Sequence, residues 1–281
     1  MSEPTSDPFS DPLSSGPSPY QPPSADLSQP LPVPQPRPQS AWKILAYTLL
    51  IFLAYSVLQV VFGVVAAFAV PGGAMVPSPS GANPMSGLPL ALILGVGTIV
   101  AAPFGIAGTV LLVRYQFLEP VREYLGLRGT TLRQVLLWTF ALALFVVLFD
   151  LLGRWLERPE IPPFMRDILV SPGQSDAARV LLWLAVVIAA PVLEEILFRG
   201  FLLEGLRRRL GGLGAVAASS VLFGIIHTQY DLFDMSAVLV LGAVLGLSRL
   251  YSGSTWLPVG LHTAHNFLSM ALTTWYLQQG G

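Results

Sequence analysis

The chain has 281 residues, of which 53% are hydrophobic and only 11% are charged, and its formal net charge is -1. Because soluble globular domains carry about 25% charged residues, this composition predicts an integral membrane protein. The near-zero net charge gives no support for a nucleic-acid partner. The absence of cysteine excludes disulfide scaffolds and thiolate chemistry.

The N-terminal segment, residues 1–40, is dominated by Pro, Ser and acidic residues. Such a segment cannot bury enough apolar surface to offset the entropy lost on ordering, so it is predicted to be a disordered tail. A Pro-rich ligand for a partner domain is the alternative interpretation. A solvated tail is the simpler one.

Seven apolar stretches follow, each compatible with a bilayer-spanning helix of about 20 residues. They are 43–70, 88–113, 134–153, 178–198, 213–230, 235–250 and 254–277. The sequence therefore predicts an all-α fold, a polytopic membrane bundle of about seven to eight transmembrane helices. The spans up to residue 119 form its N-terminal part.

The loops differ in charge, and this difference predicts the orientation. The link 71–87 is uncharged, whereas 114–133 carries four arginines. Positively charged loops remain in the cytoplasm, which places 114–133 and the N-terminus inside. The run Arg207–Arg209 then also falls inside by alternation. The loop 154–179 is predicted outside although it holds arginines mixed with acidic residues. If the chain is bacterial, as its plain architecture suggests, the membrane is the plasma membrane.

The stretch "APVLEEILFRG" places two carboxylates and a guanidinium within a predicted span. Ionisable groups at membrane depth are costly and usually face a bundle interior or a wet cavity. Glu195 and Arg199 are four residues apart and share a helix face, so we expect an ion pair that is a structural tie. Glu194 lies about 100° around the helix and must face elsewhere. The two carboxylates are therefore expected to have different roles.

The three histidines of the chain all lie in its last part, in predicted spans. If the fourth and fifth spans form a hairpin that turns at Gly211–Gly212, Glu194 and His227 lie at the same depth on neighbouring helices. In the last span, His262 and Asn266 share one face, and His265 lies near its edge. A turn at Gly253 brings this face near the same depth. A polar pocket of a glutamate, two or three histidines and an asparagine is predicted, with Phe223 shaping its wall.

Three short motifs resemble the signature of a known membrane-protein family. "EEILFR" (194–199) looks like the EExxxR box of the CAAX protease and bacteriocin-processing (CPBP or Abi) family. "FGIIH" (223–227) is similar to its FxxxH box, and "HTAHN" (262–266) to its HxxxN box. Their order and spacing agree with the family. The resemblance covers about residues 120–277 and identifies 120–281 as a CPBP-like catalytic transmembrane core.

The resemblance implies an intramembrane endopeptidase similar to type II CAAX prenyl proteases. Glu194 with His227 would activate a water molecule, and His262 and Asn266 would donate hydrogen bonds to the oxyanion. Glu195, Arg199 and Phe223 would support the site. The substrate would be a peptide or protein at the lipid bilayer.

Alternatives to a metal-independent peptidase remain open at this point. Glu194, His227 and His262 could bind zinc as a His₂Glu site with an open position, although the chain has no H-E-x-x-H helix and no cofactor is favoured. A non-catalytic membrane scaffold, or an immunity or regulatory protein of the same fold, is the first rival. A proton-coupled transporter that uses Glu194 and His227 as a relay is the second.

Overall fold

The computed structural model describes residues 39–69, 90–170 and 175–279. The predicted tail, apart from its last two residues, and the link 71–87 lie outside these ranges. All regular secondary structure within them is helical. The α-helices are α1 (Ala41–Ala69), α2 (Leu90–Leu112), α3 (Val121–Tyr124), α4 (Leu132–Trp155), α5 (Pro163–Val170), α6 (Asp176–Leu184), α7 (Ala190–Glu195), α8 (Leu203–Ile225), α9 (Leu232–Ser252) and α10 (Trp256–Gln278).

Three π-helical segments join or extend these helices. Val113–Phe117 extends α2, Ala185–Ala189 joins α6 to α7, and Ile196–Leu202 joins α7 to α8. Since π-turns are rare and occur mostly as single turns inside α-helices, often at functional sites, two of them on either side of Glu194 and Glu195 mark this helix as unusual.

The described residues confirm an all-α, multi-pass membrane bundle. Five helical stretches are long and apolar enough to cross a bilayer: Ala41–Ala69, Leu90–Phe117, Leu132–Trp155, Asp176–Ile225 and Leu232–Ser252. The fourth stretch contains two of the predicted spans. The helix α10, at the position of the last predicted span, is not one of the five; its His, Asn and Thr side chains make it more polar.

Two glycines turn the chain where the sequence predicted turns. Gly211 has φ 70° and ψ 175°, which interrupts the helical stretch between the fourth and fifth predicted spans. Gly253 has φ 69° and ends α9 in the left-handed conformation. Residues with a Cβ atom rarely adopt this region, so a glycine is suited to each corner.

One predicted span ends earlier than expected. The stretch 213–230 was predicted to be helical throughout, which placed His227 inside a membrane helix. The helix α8 instead ends at Ile225, and His227 lies in the turn that leads to α9. The physical cause is local: the His227 amide bonds to the carbonyl of Gly224, and the Asp231 side chain caps α9 by accepting from the Asp234 amide.

The loops gather at two ends of the bundle. At one end, Arg128 Nε donates to the carbonyl of Gly253 at 2.7 Å, and Arg208 forms a bidentate pair with Glu119, both N–O distances being 2.6 Å. At the other end, Arg158 pairs with Asp231. We call these the basic end (39–44, 113–134, 204–212 and 249–256) and the acidic end (150–170, 175–180 and 226–234).

The apolar surface of the bundle fits a lipid environment. The helices α1 and α4 expose most of their large hydrophobic side chains; Leu50, Leu53, Phe140 and Leu148 are each more than half exposed. Between α1 and α2 the backbones pack closely, since a side chain at Gly97 would overlap the carbonyl oxygen of Gln59. Small residues allow such close packing of membrane helices.

Candidate active site

The acidic pair lies on a continuous helix whose register changes on both sides. In the π segment Ala185–Ala189, the carbonyl of Ala185 accepts from the amide of Ala190, five residues later. The carbonyl of Val186 would correspondingly accept from residue 191, but Pro191 has no N–H group. The π-turn before Pro191 thus leaves the Val186 carbonyl oxygen without a backbone partner.

Asn266 of α10 bonds to that oxygen. Its Nδ2 donates to the carbonyl of Val186 at 2.9 Å. An unpaired carbonyl inside a membrane protein is costly. This bond therefore stabilises the contact between α10 and the helix that carries Glu194 and Glu195. One of the two N–H groups of Asn266 is therefore engaged by the backbone.

The predicted ion pair between Glu195 and Arg199 is present and completely buried. Arg199 Nη1 is 2.9 Å from Glu195 Oε1, and both side chains have 0% exposure. Arg199 Nη2 donates to the carbonyl of Gly242 on α9 at 3.2 Å, and the guanidinium carbon lies 4.2 Å from the ring centre of Phe223. The pair therefore links α7, α8 and α9.

Glu195 has a second partner that the sequence did not indicate. His262 Nδ1 lies 2.9 Å from Glu195 Oε1. Since a carboxylate can only accept, Nδ1 carries the hydrogen and the ring orientation is fixed. The opposite nitrogen, Nε2, faces Glu194 with an N–O distance of 4.0 Å.

Glu194 forms no ion pair with Arg199 among the described residues, as predicted. Its side chain is 15% exposed, and its nearest charged partner is His262. Its charge acts on His227 and Tyr230 of the turn after α8, and also on Arg199. The carboxylate thus lies next to His262 and within the electrostatic reach of His227, while Arg199 is bound by Glu195.

His227 lies beside Glu194 with its ring fixed by the helix end. The Phe223 carbonyl has lost its helical partner because the His227 amide bonds to Gly224 instead. His227 Nδ1 lies 2.6 Å from this carbonyl and donates to it, so Nε2 is left as an acceptor. Burial lowers the pKa of His227, while the Glu194 charge opposes that shift. The ring is therefore neutral near pH 7 and able to accept a proton.

Phe223 forms the wall that the sequence predicted. Its ring centre lies 4.7 Å from that of His227, 5.9 Å from that of His262 and 5.2 Å from that of Phe198. It is 1% exposed. Phe223 thus separates the two imidazoles and covers the guanidinium of Arg199.

His265 faces away from this cluster. Its ring packs against Phe145 of α4, with a centroid distance of 6.2 Å, and its buried Nδ1 has no hydrogen-bond partner. Asp150 lies at an exposed position and pairs with Arg154 at 3.0 Å. Neither residue extends the site.

Two tyrosines of the site were missed by the sequence analysis. Tyr230 stacks on His227, with ring centres 6.3 Å apart and planes 7° apart, and Tyr55 is 5% exposed beside Leu193. The aromatic residue three positions after His227 offered a weak signal for the first. Nothing in the pattern of α1 singles out the second.

The residues of the zinc alternative do not form a metal cluster. Within the ranges that the structure describes, no three His, Asp or Glu side chains are grouped so that they could hold a metal ion. His227 Nδ1 and His262 Nδ1 are both engaged by protein acceptors. No step of the chemistry below is therefore derived through a metal, and metal independence stays a prediction.

Comparison with known proteins agrees with the three motifs. Residues 176–268 match the sequence model of the Rce1-like type II CAAX prenyl endopeptidases. The resemblance is confirmed. All three motifs lie inside this Rce1-like segment, which ends before the last part of α10.

A curated relative adds similarity but no activity. An "Uncharacterized 24.3 kDa protein" of Escherichia coli is 36% identical over 126 residues, which cover 43% of this chain and 56% of the relative. The chain thus matches a little over half the length of that protein. No solved structure matches the chain.

Proposed function

We propose that this protein is an intramembrane endopeptidase that hydrolyses a peptide bond with a water molecule activated by Glu194 and His227. The observation that carries the proposal is the separation of the two carboxylates. Glu195 holds Arg199 and His262, whereas Glu194 forms no ion pair with an arginine in the described part of the chain and acts on two imidazoles. The Rce1-like segment that contains these residues supports the same activity.

The chemistry assigned to the site requires a base for water. Glu194, which forms no ion pair with an arginine among the described residues and lies 4.0 Å from His262, accepts the first proton. His227 is neutral and has Nε2 available as an acceptor, so it shares that proton and delivers it to the leaving amine. Glu194 lies on α7, and the His227 ring is held at the end of α8 by its bond to the Phe223 carbonyl.

The oxyanion of the tetrahedral intermediate needs positioned donors. His262 supplies one through Nε2 when its ring carries both protons, since Nδ1 is bound to Glu195. The second N–H of Asn266 is the other, because Val186 engages the first. One such donor contributes about 2.7–4 kcal/mol to the transition state.

The orientation follows from the charges of the two ends. The basic end carries nine Lys and Arg against three Asp and Glu among the described residues, and the acidic end carries four against seven. By the positive-inside rule, the basic end and the start of α1 are cytoplasmic. In a bacterial host, this protein would thus lie in the plasma membrane with α5 and the turn 226–231 on the outer side.

The proposed substrate is a peptide segment of a membrane-associated protein, as the resemblance to CAAX prenyl endopeptidases suggests. The test compares protein termini in host membranes that carry the wild type or Glu194→Gln. Glu123→Gln, an exposed carboxylate outside the site, is the matched control. New termini that appear with the wild type and Glu123→Gln and vanish with Glu194→Gln are expected. Identical termini at equal protein abundance would refute the peptidase and favour the scaffold alternative.

A further inference from the structure

Pro191 lies three residues before Glu194 and changes the hydrogen bonding of the helix that carries the site. In the π-turn before it, the amide of Ala190 bonds to the carbonyl of Ala185. The next amide in this register would reach the carbonyl of Val186, but proline has no N–H group. Pro191 therefore leaves this oxygen available to a donor from another helix.

The available oxygen determines which end of the Asn266 amide group faces it. A carbonyl oxygen can only accept a hydrogen bond, so the Asn266 atom that lies 2.9 Å from it is the nitrogen Nδ2. Without this acceptor, the amide group could turn over and place its own oxygen where the nitrogen now lies. The Val186 carbonyl thus selects one of the two orientations of the Asn266 side chain.

The selected orientation is the one that stabilisation of an oxyanion requires. Asn266 lies one turn after His262 on the same face of α10, and His262 Nε2 lies 4.0 Å from a Glu194 oxygen. In the reversed orientation, the amide oxygen would repel a developing negative charge. Because Nδ2 is held by Val186, its second hydrogen has a fixed direction and is available as a donor.

We infer that Pro191 is a positioning residue of this site, which acts through the Val186 carbonyl to hold Asn266 as a hydrogen-bond donor. The inference rests on the proposed function for its consequence, the binding of an oxyanion. Prolines are also tolerated in membrane helices as simple kinks, because neighbouring groups bond to the oxygen that they leave free. Here the neighbouring group is itself a residue of the candidate site, which connects the break in the helix to the chemistry.

The first test observes the Asn266 amide group directly and requires no turnover. The chain has two asparagines, Asn83 and Asn266, so labelling of asparagine side chains with nitrogen-15 gives two pairs of amide proton signals. The spectrum is recorded on the full chain in detergent micelles, and Asn266→Leu identifies the Asn266 pair. In the wild type, the proton that is bonded to the Val186 carbonyl should lie downfield of its position in a solvated amide.

Pro191→Ala returns an amide donor to the helix, so this variant should fold. The Val186 carbonyl then gains a backbone partner, and the bonded Asn266 proton should move upfield. Pro103→Ala makes the same change inside α2 and is the matched control, which should leave the Asn266 signals unchanged. Proteolysis that depends on Glu194 should fall by roughly tenfold or more in Pro191→Ala, since loss of one oxyanion donor costs about 100–1,000-fold.

A double-variant cycle tests the same bond through stability. In the wild type, Asn266→Leu leaves the Val186 carbonyl without its donor, so it should lower the melting temperature by on the order of 5 °C. In Pro191→Ala the carbonyl keeps a backbone donor, so the same change should lower the melting temperature by less than half as much. Equal losses in the two backgrounds would overturn the inference.

Unchanged Asn266 signals in folded Pro191→Ala would also overturn it and would leave Pro191 as a simple kink. An equal change in Pro103→Ala would do the same. These outcomes are separable from that of the peptidase proposal. A specific spectral change, with no Glu194-dependent proteolysis in the wild type, would keep the positioning of Asn266 and refute the peptidase. Glu194-dependent proteolysis that is equal in the wild type and Pro191→Ala would refute the role of Pro191 alone.

Discussion

Replacing one or the other of two adjacent glutamates by glutamine should have opposite consequences. Arg199 is fully buried, and its hydrogen-bond acceptors are the Glu195 carboxylate and the Gly242 carbonyl. Glu195→Gln leaves this guanidinium as an uncompensated charge. Glu194→Gln removes a charge that is partly exposed and lies 4.0 Å from an imidazole.

The magnitudes follow from burial. Removing one partner of a buried ion pair destabilises a protein by about 3–5 kcal/mol. With about 2–4 °C per kcal/mol for a chain of this size, Glu195→Gln should lower the melting temperature by roughly 10 °C. Glu194→Gln should change the free energy of unfolding by less than about 1 kcal/mol, because it leaves no arginine without its ion-pair partner, while it abolishes proteolysis.

The assay is thermal denaturation in detergent micelles, followed by the loss of the monodisperse peak in size-exclusion chromatography. The double variant Glu195→Leu with Arg199→Met removes both charges and should recover much of the lost stability. Equal melting temperatures for Glu194→Gln and Glu195→Gln would refute the division of roles. So would a double variant that is as unstable as Glu195→Gln.

Three further predictions address the ends of the bundle and the metal question. The cap of α9 and the pair with Arg158 lower the pKa of Asp231, so its contribution to stability is complete above the ordinary aspartate pKa and is lost as pH falls through the lowered value. Asp231→Ala should therefore lower the free energy of unfolding at pH 7 by about 1 kcal/mol, and Asp231→Asn should lower it less because Asn also caps a helix. The difference between wild type and Asp231→Ala in thermal denaturation should narrow in acid. Because the chain has no cysteine, a single introduced cysteine reports the orientation of the protein without background. In intact bacteria, Gln229→Cys should react with an impermeant maleimide, and Gly129→Cys should react only after lysis. The reverse pattern would show that the orientation is inverted. Proteolysis that depends on Glu194 should survive exhaustive chelation, whereas loss on chelation and recovery with zinc would establish a metal enzyme.

Much of the site was predictable from helix geometry, because its members lie on helices joined by sharp turns. The turn at Gly211 and the rise per residue were enough to bring Glu194 and His227 to one depth, and the four-residue spacing was enough for Glu195 and Arg199. These arguments need only local regularity. They hold where the chain is locally regular.

Other features could not be predicted because they depend on tertiary packing. His227 lies beyond the end of α8, because its amide bonds to the Gly224 carbonyl. Its ring nitrogen Nδ1 bonds to the Phe223 carbonyl, in the place of the helical amide. The bond from His262 to Glu195 depends on how α10 crosses the acidic helix. Tyr55 belongs to an apolar helix, and only the packing of α1 on its neighbours buries it beside Leu193.

The two π segments have a consequence for the length of the chain. Each π-turn accommodates one residue more than an α-turn, so each rotates the following residues by about 100° relative to a regular helix. The face that Glu194 presents is therefore set by the number of residues between Asp176 and Gly211, and not by their identity alone. Deleting one residue between Ala185 and Ala189 would let this segment become a regular α-helix that keeps Glu194 on its present face, whereas deleting one residue from the α-helical part, between Asp176 and Leu184, would turn the carboxylate by about 100° away from the histidines although every motif residue were still present.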